Sequence, residues 1–308
     1  MAWARALVDI SSDVNDLDED DDLIKIELKK IAERFLNYYW NHSFYFNLKQ
    51  GPVKPTIVNI TEELINTYIE STKSNQPIRY EKKKVHLAIE NDIYRVISEI
   101  VPILKKDVSY RFLELRGENL KWMYDYQKNS DYLLIKKRYL KILKENCEIL
   151  YPLINSRWAQ IVESFDYSPR INKKVKFLDD KDYVRSPLKK FHTWLDKENI
   201  DHSCFICDKE ILDKELSLDH VIPWSYLFED NLWNLVYVHK KCNSTKSNMI
   251  PNKIEIEKLE NRNQRLLQIL DKEGFFGKVK MKGKVIAEDL KFAIENKLVR
   301  KFWTGCKG

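Results

Sequence analysis

Four residues in the C-terminal half have the types and spacing of a metal site. Cys204-x-x-Cys207 is matched, after a longer excursion, by His239-x-x-Cys242. Each short pair suits one tight turn, and two turns closing on an ion from two sides supply the tetrahedral sulfur and nitrogen set that zinc takes. With all four positions filled by protein, such a zinc is structural, and it pins a module with too little apolar mass to fold alone. A lone Cys-x-x-Cys leaves open a pair of buried cysteines with incidental neighbours; the later His-x-x-Cys argues for a site. The chain holds 5 cysteines, an odd number with three of them clustered. That pattern favours a metal site in a reducing compartment over a disulfide framework.

Between and beside these pairs lie Leu218-Asp219-His220-Val221-Ile222-Pro223, then Asn234, then Asn243 directly after Cys242, and Lys246. Singly they carry little. An Asp-His pair is common, Asn234 reads equally as a turn residue with Asn231 as its competitor, and Asn243 suits a helix cap. Together, in register with the four metal ligands, they resemble the HNH endonuclease family and its ββα-metal fold. In that family an Asp-His pair ends the first strand of a hairpin. A middle Asn lies in the connection or second strand, and a last Asn or His lies on the helix that follows. A Cys-Asn dipeptide followed by Lys, here Cys242-Asn243 and Lys246, is a further family habit. The spacing is similar to that of the HNH domain of CRISPR effector nucleases, which lacks the cysteines. The zinc-bearing form is similar to bacterial homing, restriction and defence HNH proteins. The resemblance is strong from Ser203 to Pro251. Weaker flanks resembling those of bacterial HNH proteins run from Trp158 through Arg170-Ile171 to Ser186-Pro187, and from Lys258 to Asn263, with no role assigned.

The resemblance implies a division of labour that fits phosphodiester hydrolysis, which needs an activated water, relief of phosphate charge and help for the leaving oxygen. His220 is the expected general base, since a neutral imidazole accepts a proton near pH 7. Asp219 and Asn243 are expected to hold one divalent ion, Mg²⁺ or Mn²⁺, which prefers oxygen ligands. Asn234 is expected to fix the loop or the His220 ring, and Lys246 to contact phosphate from the helix. In the basic stretch Tyr167–Lys190, Arg170, Lys173 and Lys174 are candidate phosphate contacts; a solvated charged loop is the equal alternative.

The elements that must position this site read as mostly helical. Only 7 Gly and 9 Pro interrupt 308 residues, so helix breakers are scarce. Leu23, Ile26, Leu28, Ile31, Phe35 and Tyr38 are spaced for one helix, and the aromatics from Tyr38 to Phe46 read as its end packed into a core. Further helices are expected over Thr61–Ser71 with Thr61 as cap, over His86–Leu104, and over Tyr132–Ile161 with a break at Pro152. His42, His86, His192 and His202 read as structural or surface histidines, Cys147 as core and Cys306 as a free thiol. The net charge of +6 is compatible with nucleic acid. An acidic run, Asp16–Asp22, reads as a solvated tail rather than a DNA mimic. No stretch suits a membrane span or a signal peptide, so a cytoplasmic protein is expected.

The expected architecture is mostly α with a small α+β module. A helical domain spans 1–165, a basic connector 166–200, an HNH ββα-metal module with structural zinc 201–255, and a helical tail 256–308. The expected activity is metal-dependent cleavage of DNA, in bacterial restriction or anti-phage defence. RNA cleavage or nicking by the same site, and a non-cutting zinc-knuckle binding module, are the alternatives. The helical half is left with selecting a site, binding an activating or loading partner, or forming a homodimer, which would supply two active sites about one axis.

Overall fold

The computed structural model describes residues 1–14, 23–115, 118–119, 123–127, 129–176, 187–277 and 283–307. The acidic run Asp16–Asp22 and part of the basic stretch therefore lie outside the described residues. The chain divides into two compact units. The first contains Met1–Asp166 together with the segment that starts at Ile171; the second contains Tyr167–Arg170 and the C-terminal part of the chain.

The first unit begins with α1 (Ala2–Asp13), then β1 (Leu23–Glu27), α2 (Leu28–Trp40), α3 (Thr56–Thr72) and α4 (Lys83–Ile103). Two short strands, β2 (Glu114–Leu115) and β3 (Glu118–Asn119), form a ladder, and β4 (Tyr124–Asp125) and β5 (Tyr132–Lys136) follow. The unit closes with α5 (Lys137–Glu145), α6 (Cys147–Glu163) and α7 (Ile171–Lys176). Its helices bury apolar stripes, Trp3, Ala6, Leu7 and Ile10 on α1 and Ile31, Phe35 and Tyr38 on α2, at the three-to-four spacing of one helical face. The aromatics at the end of α2 are core: Trp40 meets Tyr68, Tyr80 and Phe44 edge to face at 5.7, 5.9 and 5.5 Å.

The structure corrects several local expectations in this unit. Leu23–Glu27 is a strand, pairing antiparallel with β5 from Leu23↔Lys136 to Glu27↔Tyr132, in a sheet of order β1-β5-β4. The β5–α6 region breaks at Asn146, while Pro152 is accommodated within α6. Thr61 lies inside α3, where its hydroxyl donates back to Ile57 O (2.8 Å) instead of capping. Cys147 is half-buried rather than core.

The second unit contains α8 (His192–Glu198), β6 (Leu216–His220), α9 (Trp224–Leu227), β7 (Leu235–His239), α10 (Lys240–Lys246), α11 (Lys253–Lys272), α12 (Lys284–Glu295) and α13 (Leu298–Lys307). Strands β6 and β7 pair antiparallel from Leu216↔His239 to His220↔Leu235, and α10 follows β7 at once. An isolated two-stranded ribbon is marginal in water. Here Val236 and Val238 of β7 share one core with Leu195 of α8, Leu259, Leu266 and Leu270 of α11, and Leu290 of α12. The C-terminal helices are thus built into the same core as the hairpin. Helix α11 is started by a capping box, in which Asn252 accepts from Glu255 N and Glu255 accepts from Asn252 N. Among the described residues, no helix is long and apolar enough to cross a membrane.

Candidate metal centre and active site

The Cys-x-x-Cys turn is closed by Cys204 N donating to Lys209 O (2.8 Å) and Asp208 N donating to Cys204 O (2.9 Å). Asp208 takes the left-handed conformation at φ 58°, one of the few non-glycine types that does so readily. Phe205 N donates to Tyr237 O (2.9 Å) and ties the turn to β7. His239 ends β7 and Cys242 sits in the first turn of α10, so the strand-to-helix junction delivers the second pair.

The ligand atoms of Cys204, Cys207, His239 and Cys242 all lie within 4.8 Å of one another. His239 Nδ1 is 3.5 Å from Cys207 Sγ and 3.9 Å from Cys242 Sγ. Ligands on a tetrahedral zinc, at about 2.1–2.3 Å from the ion, stand roughly 3.4–3.8 Å apart. His239 Nε2 lies 3.0 Å from Glu210 O, where it donates. That bond puts the proton on Nε2 and leaves the Nδ1 lone pair facing the three sulfurs. Burial alone would raise the Cys204 thiol, yet donation from the Cys207, His239 and Ile206 backbone N–H groups helps draw it down to about 6. Cys242, desolvated and crowded by the other two sulfurs, is pushed up to about 11. One thiolate is thus already favoured among three thiols that a cation would deprotonate together.

At the other end of the hairpin, Asp219 and His220 close β6, both buried. Asn243 projects from α10 toward the same strand: its Nδ2 donates to Ser217 Oγ (3.0 Å) and to Leu218 O (3.4 Å). It lies inside the helix and does not cap it. The ββα order, the ligand quartet and the placement of Asn243 against the strand that ends in Asp219 and His220 accompany a match of residues 205–252 to the model of a family described as HNH endonuclease. Residues 205–252 form an HNH domain. No curated protein and no solved structure matches the chain.

Within the HNH domain, His220 Nε2 lies 2.9 Å from Asp230 Oδ1, and both side chains are largely buried. The sequence pattern does not single out Asp230, because a lone Asp in a loop carries no signal. The contact places the ring proton on Nε2 and leaves Nδ1 as the basic atom. Asn234, fully buried, holds the loop rather than the ring. Its Oδ1 accepts from Ile222 N and its Nδ2 donates to Ile222 O, both at 2.8 Å, while Val221 N donates to its carbonyl at 2.9 Å. Asn231 contributes a backbone carbonyl that accepts from Asn234 N (3.0 Å).

Helix α11 supports this loop from behind. Arg262, fully buried, donates to Leu235 O (2.5 Å) and to Leu232 O (3.2 and 3.3 Å). Asn263 Nδ2 donates to Trp233 O (2.9 Å). Burial lowers the Arg262 guanidinium to about 10, so it stays charged at neutral pH. The weak flank motif Lys258–Asn263 thus acquires a physical role, since it holds the segment on which Asn234 sits.

The basic candidates separate. Lys174 is wholly buried on α7 in the first unit, so its ammonium cannot reach a phosphate there, and that expectation is corrected. Lys173 is exposed on the same helix. Arg170, in the second unit, is half-exposed and paired with Glu229, the neighbour of Asp230. Lys246 is also turned inward: Nζ donates to His220 O (2.7 Å) and lies 2.9 Å from Asp219 Oδ2. It is not offered to solvent as the expected phosphate contact.

The residues fit a hard divalent ion. Asp219 Oδ2 is buried and accepts no well-aligned hydrogen bond. With the Asn243 Nδ2 committed to Ser217 and Leu218, the Asn243 Oδ1 remains as its donor atom for a cation. A carboxylate and an amide oxygen on adjoining elements are the ligand types that Mg²⁺ and Mn²⁺ accept.

Proposed function

We propose that the HNH domain is a metal-dependent endonuclease that hydrolyses DNA phosphodiesters, with His220 as general base. The observation that supports this reading is the packing of α10 against β6, which sets Asn243 beside the strand that ends in Asp219 and His220, with Asp230 bonded to the His220 ring. His220 Nδ1 takes a proton from the attacking water as the water oxygen bonds to phosphorus. The bond to the leaving deoxyribose oxygen then breaks, and that oxygen is protonated from solvent. Asp219 and Asn243 hold Mg²⁺ or Mn²⁺, which when bound supplies charge relief at the phosphate and the leaving oxygen. Asn234 holds the loop after His220. Zinc on Cys204, Cys207, His239 and Cys242 is structural.

Arg170 and Lys173 remain the exposed candidates for phosphate contact. A basic chain with an HNH domain suits a nucleic-acid substrate, and the resemblance of the Cys204–Asn243 pattern to zinc-bearing bacterial HNH proteins leads us to infer foreign DNA as the target. The first unit is left to site selection, dimerisation or docking of an activating protein. The test is cleavage of supercoiled plasmid, with and without Mg²⁺ or Mn²⁺, by wild type and His220→Ala. Metal-dependent cutting lost in the variant is expected. A zinc-loaded wild type that cuts neither DNA nor single-stranded RNA overturns the nuclease reading in favour of a binding module.

A further inference from the structure

Lys246 lies one helical turn beyond Asn243, so both side chains leave α10 toward the end of β6. Its ammonium is a buried cation of the second unit, about a tenth exposed, as is its partner Asp219. It bridges two groups at once, the His220 carbonyl at 2.7 Å and the Asp219 carboxylate at 2.9 Å. The bond to His220 O is well aligned, whereas Asp219 Oδ2 has an ionic neighbour and no directed hydrogen bond. A buried carboxylate needs a counter-charge. Here that charge is a side chain set against the same carboxylate that a divalent ion would use.

We propose that Lys246 is a resident counter-ion of the metal site, which the divalent ion displaces from Asp219 on binding. The proposal rests on the reading that Asp219 and Asn243 form that site. Its consequence is coupling. With the ion absent, Lys246 neutralises Asp219 and holds the last turn of α10 against β6. With the ion present, the ammonium leaves Asp219 and becomes available to a phosphate oxygen. The phosphate contact suggested by the position of this lysine then belongs to the metal-loaded form, and metal and nucleic acid bind with positive coupling.

The test measures Mn²⁺ binding to the zinc-loaded full chain without nucleic acid, by electron paramagnetic resonance and calorimetry, for wild type, Lys246→Met and Asp219→Asn. If the ion pair is closed nine-tenths of the time or more, its removal tightens apparent affinity by about tenfold or more. Lys246→Met is therefore expected to bind Mn²⁺ at least about tenfold more tightly, and Asp219→Asn to lose the site. A second arm uses the unaltered protein: acetylation of Lys246 by an amine-reactive ester, followed by mass spectrometry, is expected to rise when Mn²⁺ is added. Unchanged or weaker Mn²⁺ affinity in a folded Lys246→Met overturns the proposal. If that variant does not fold, labelling of Lys246 that is unchanged or reduced by Mn²⁺ overturns it instead. Mn²⁺ binding that Asp219→Asn leaves intact overturns the metal-site reading itself.

Discussion

Replacing Asp230 by alanine tests whether the geometry around His220 contributes to the chemistry. The His220–Asp230 contact is 2.9 Å and both side chains are largely screened from water. A hydrogen bond to a charged acceptor contributes about 1.5–3 kcal/mol. If that energy holds the ring in the reactive tautomer and orientation, its loss slows turnover by roughly ten- to hundredfold, at about 1.4 kcal/mol per decade. Asp230→Asn retains an acceptor oxygen without the charge, so its loss falls between wild type and Asp230→Ala. The assay is the initial rate of plasmid nicking at saturating Mn²⁺, with zinc content and melting temperature measured to certify the fold. The decisive comparison is a double-mutant cycle with His220→Ala. An Asp230 that acts through His220 costs nothing further once the imidazole is gone. An equal loss in both backgrounds, or full activity in Asp230→Ala, refutes the reasoning.

Three further outcomes follow from the same geometry. Asn234→Ala leaves the buried N–H and C=O of Ile222 without partners, so a loss of about 2–5 kcal/mol is expected in urea unfolding of the second unit; a change under about 1 kcal/mol counts against the loop-fixing role. Cys207→Ser, or a zinc chelator, is expected to release zinc and lower the melting temperature of the HNH-bearing unit while the first unit melts unchanged, read by chromogenic zinc release alongside calorimetry. In the first unit, His42 is fully buried against Trp158 at 4.8 Å, and burial lowers its pKa to about 4. The unfolded chain takes up that proton near 6.5 and the folded chain does not, so stability is complete above about pH 6.5 and falls by up to ~3 kcal/mol as pH drops toward 4. A His42 ring that titrates near pH 6 by NMR contradicts this.

The Cys204, Cys207, His239 and Cys242 cluster is legible in the sequence because a tetrahedral zinc site demands four ligands on two tight turns, and that demand is written as spacing. The Asp219-His220, Asn234 and Asn243 set is legible as a family pattern. What is not legible depends on partners remote in sequence. The apolar residues Leu23, Ile24 and Ile26 satisfy both a helical and an alternating reading, and only pairing with β5 makes the segment a strand. Tyr132–Lys136 reads as part of the following helix for the same reason. A lysine looks the same in sequence whether it meets solvent or, like Lys174 and Lys246, is turned inward. Asp230 carries no signal and Arg262 only the weak one of its flank, since their importance lies in the His220 nitrogen and the Leu232 and Leu235 carbonyls they reach.

These contacts explain how so short a hairpin can hold His220 still. Strand β7 is fastened at both ends. At one end His239 enters the metal quartet; at the other the Leu235 carbonyl accepts from Arg262. Those ends lie about 13 Å apart at the usual rise of a strand, and His220 pairs with Leu235, at the end away from the cysteines. A metal on the quartet would act on the proposed chemistry indirectly: Cys242 lies at the start of α10, and α10 carries Asn243 to Ser217 and Leu218 and Lys246 to Asp219. Helix α11 acts on the opposite end through Arg262 and Asn263, which set the segment that carries Asn234. On the proposed reading, His220 and the Asp219 and Asn243 oxygens are aligned by two separate anchors, and loosening either one moves one set of groups relative to the other.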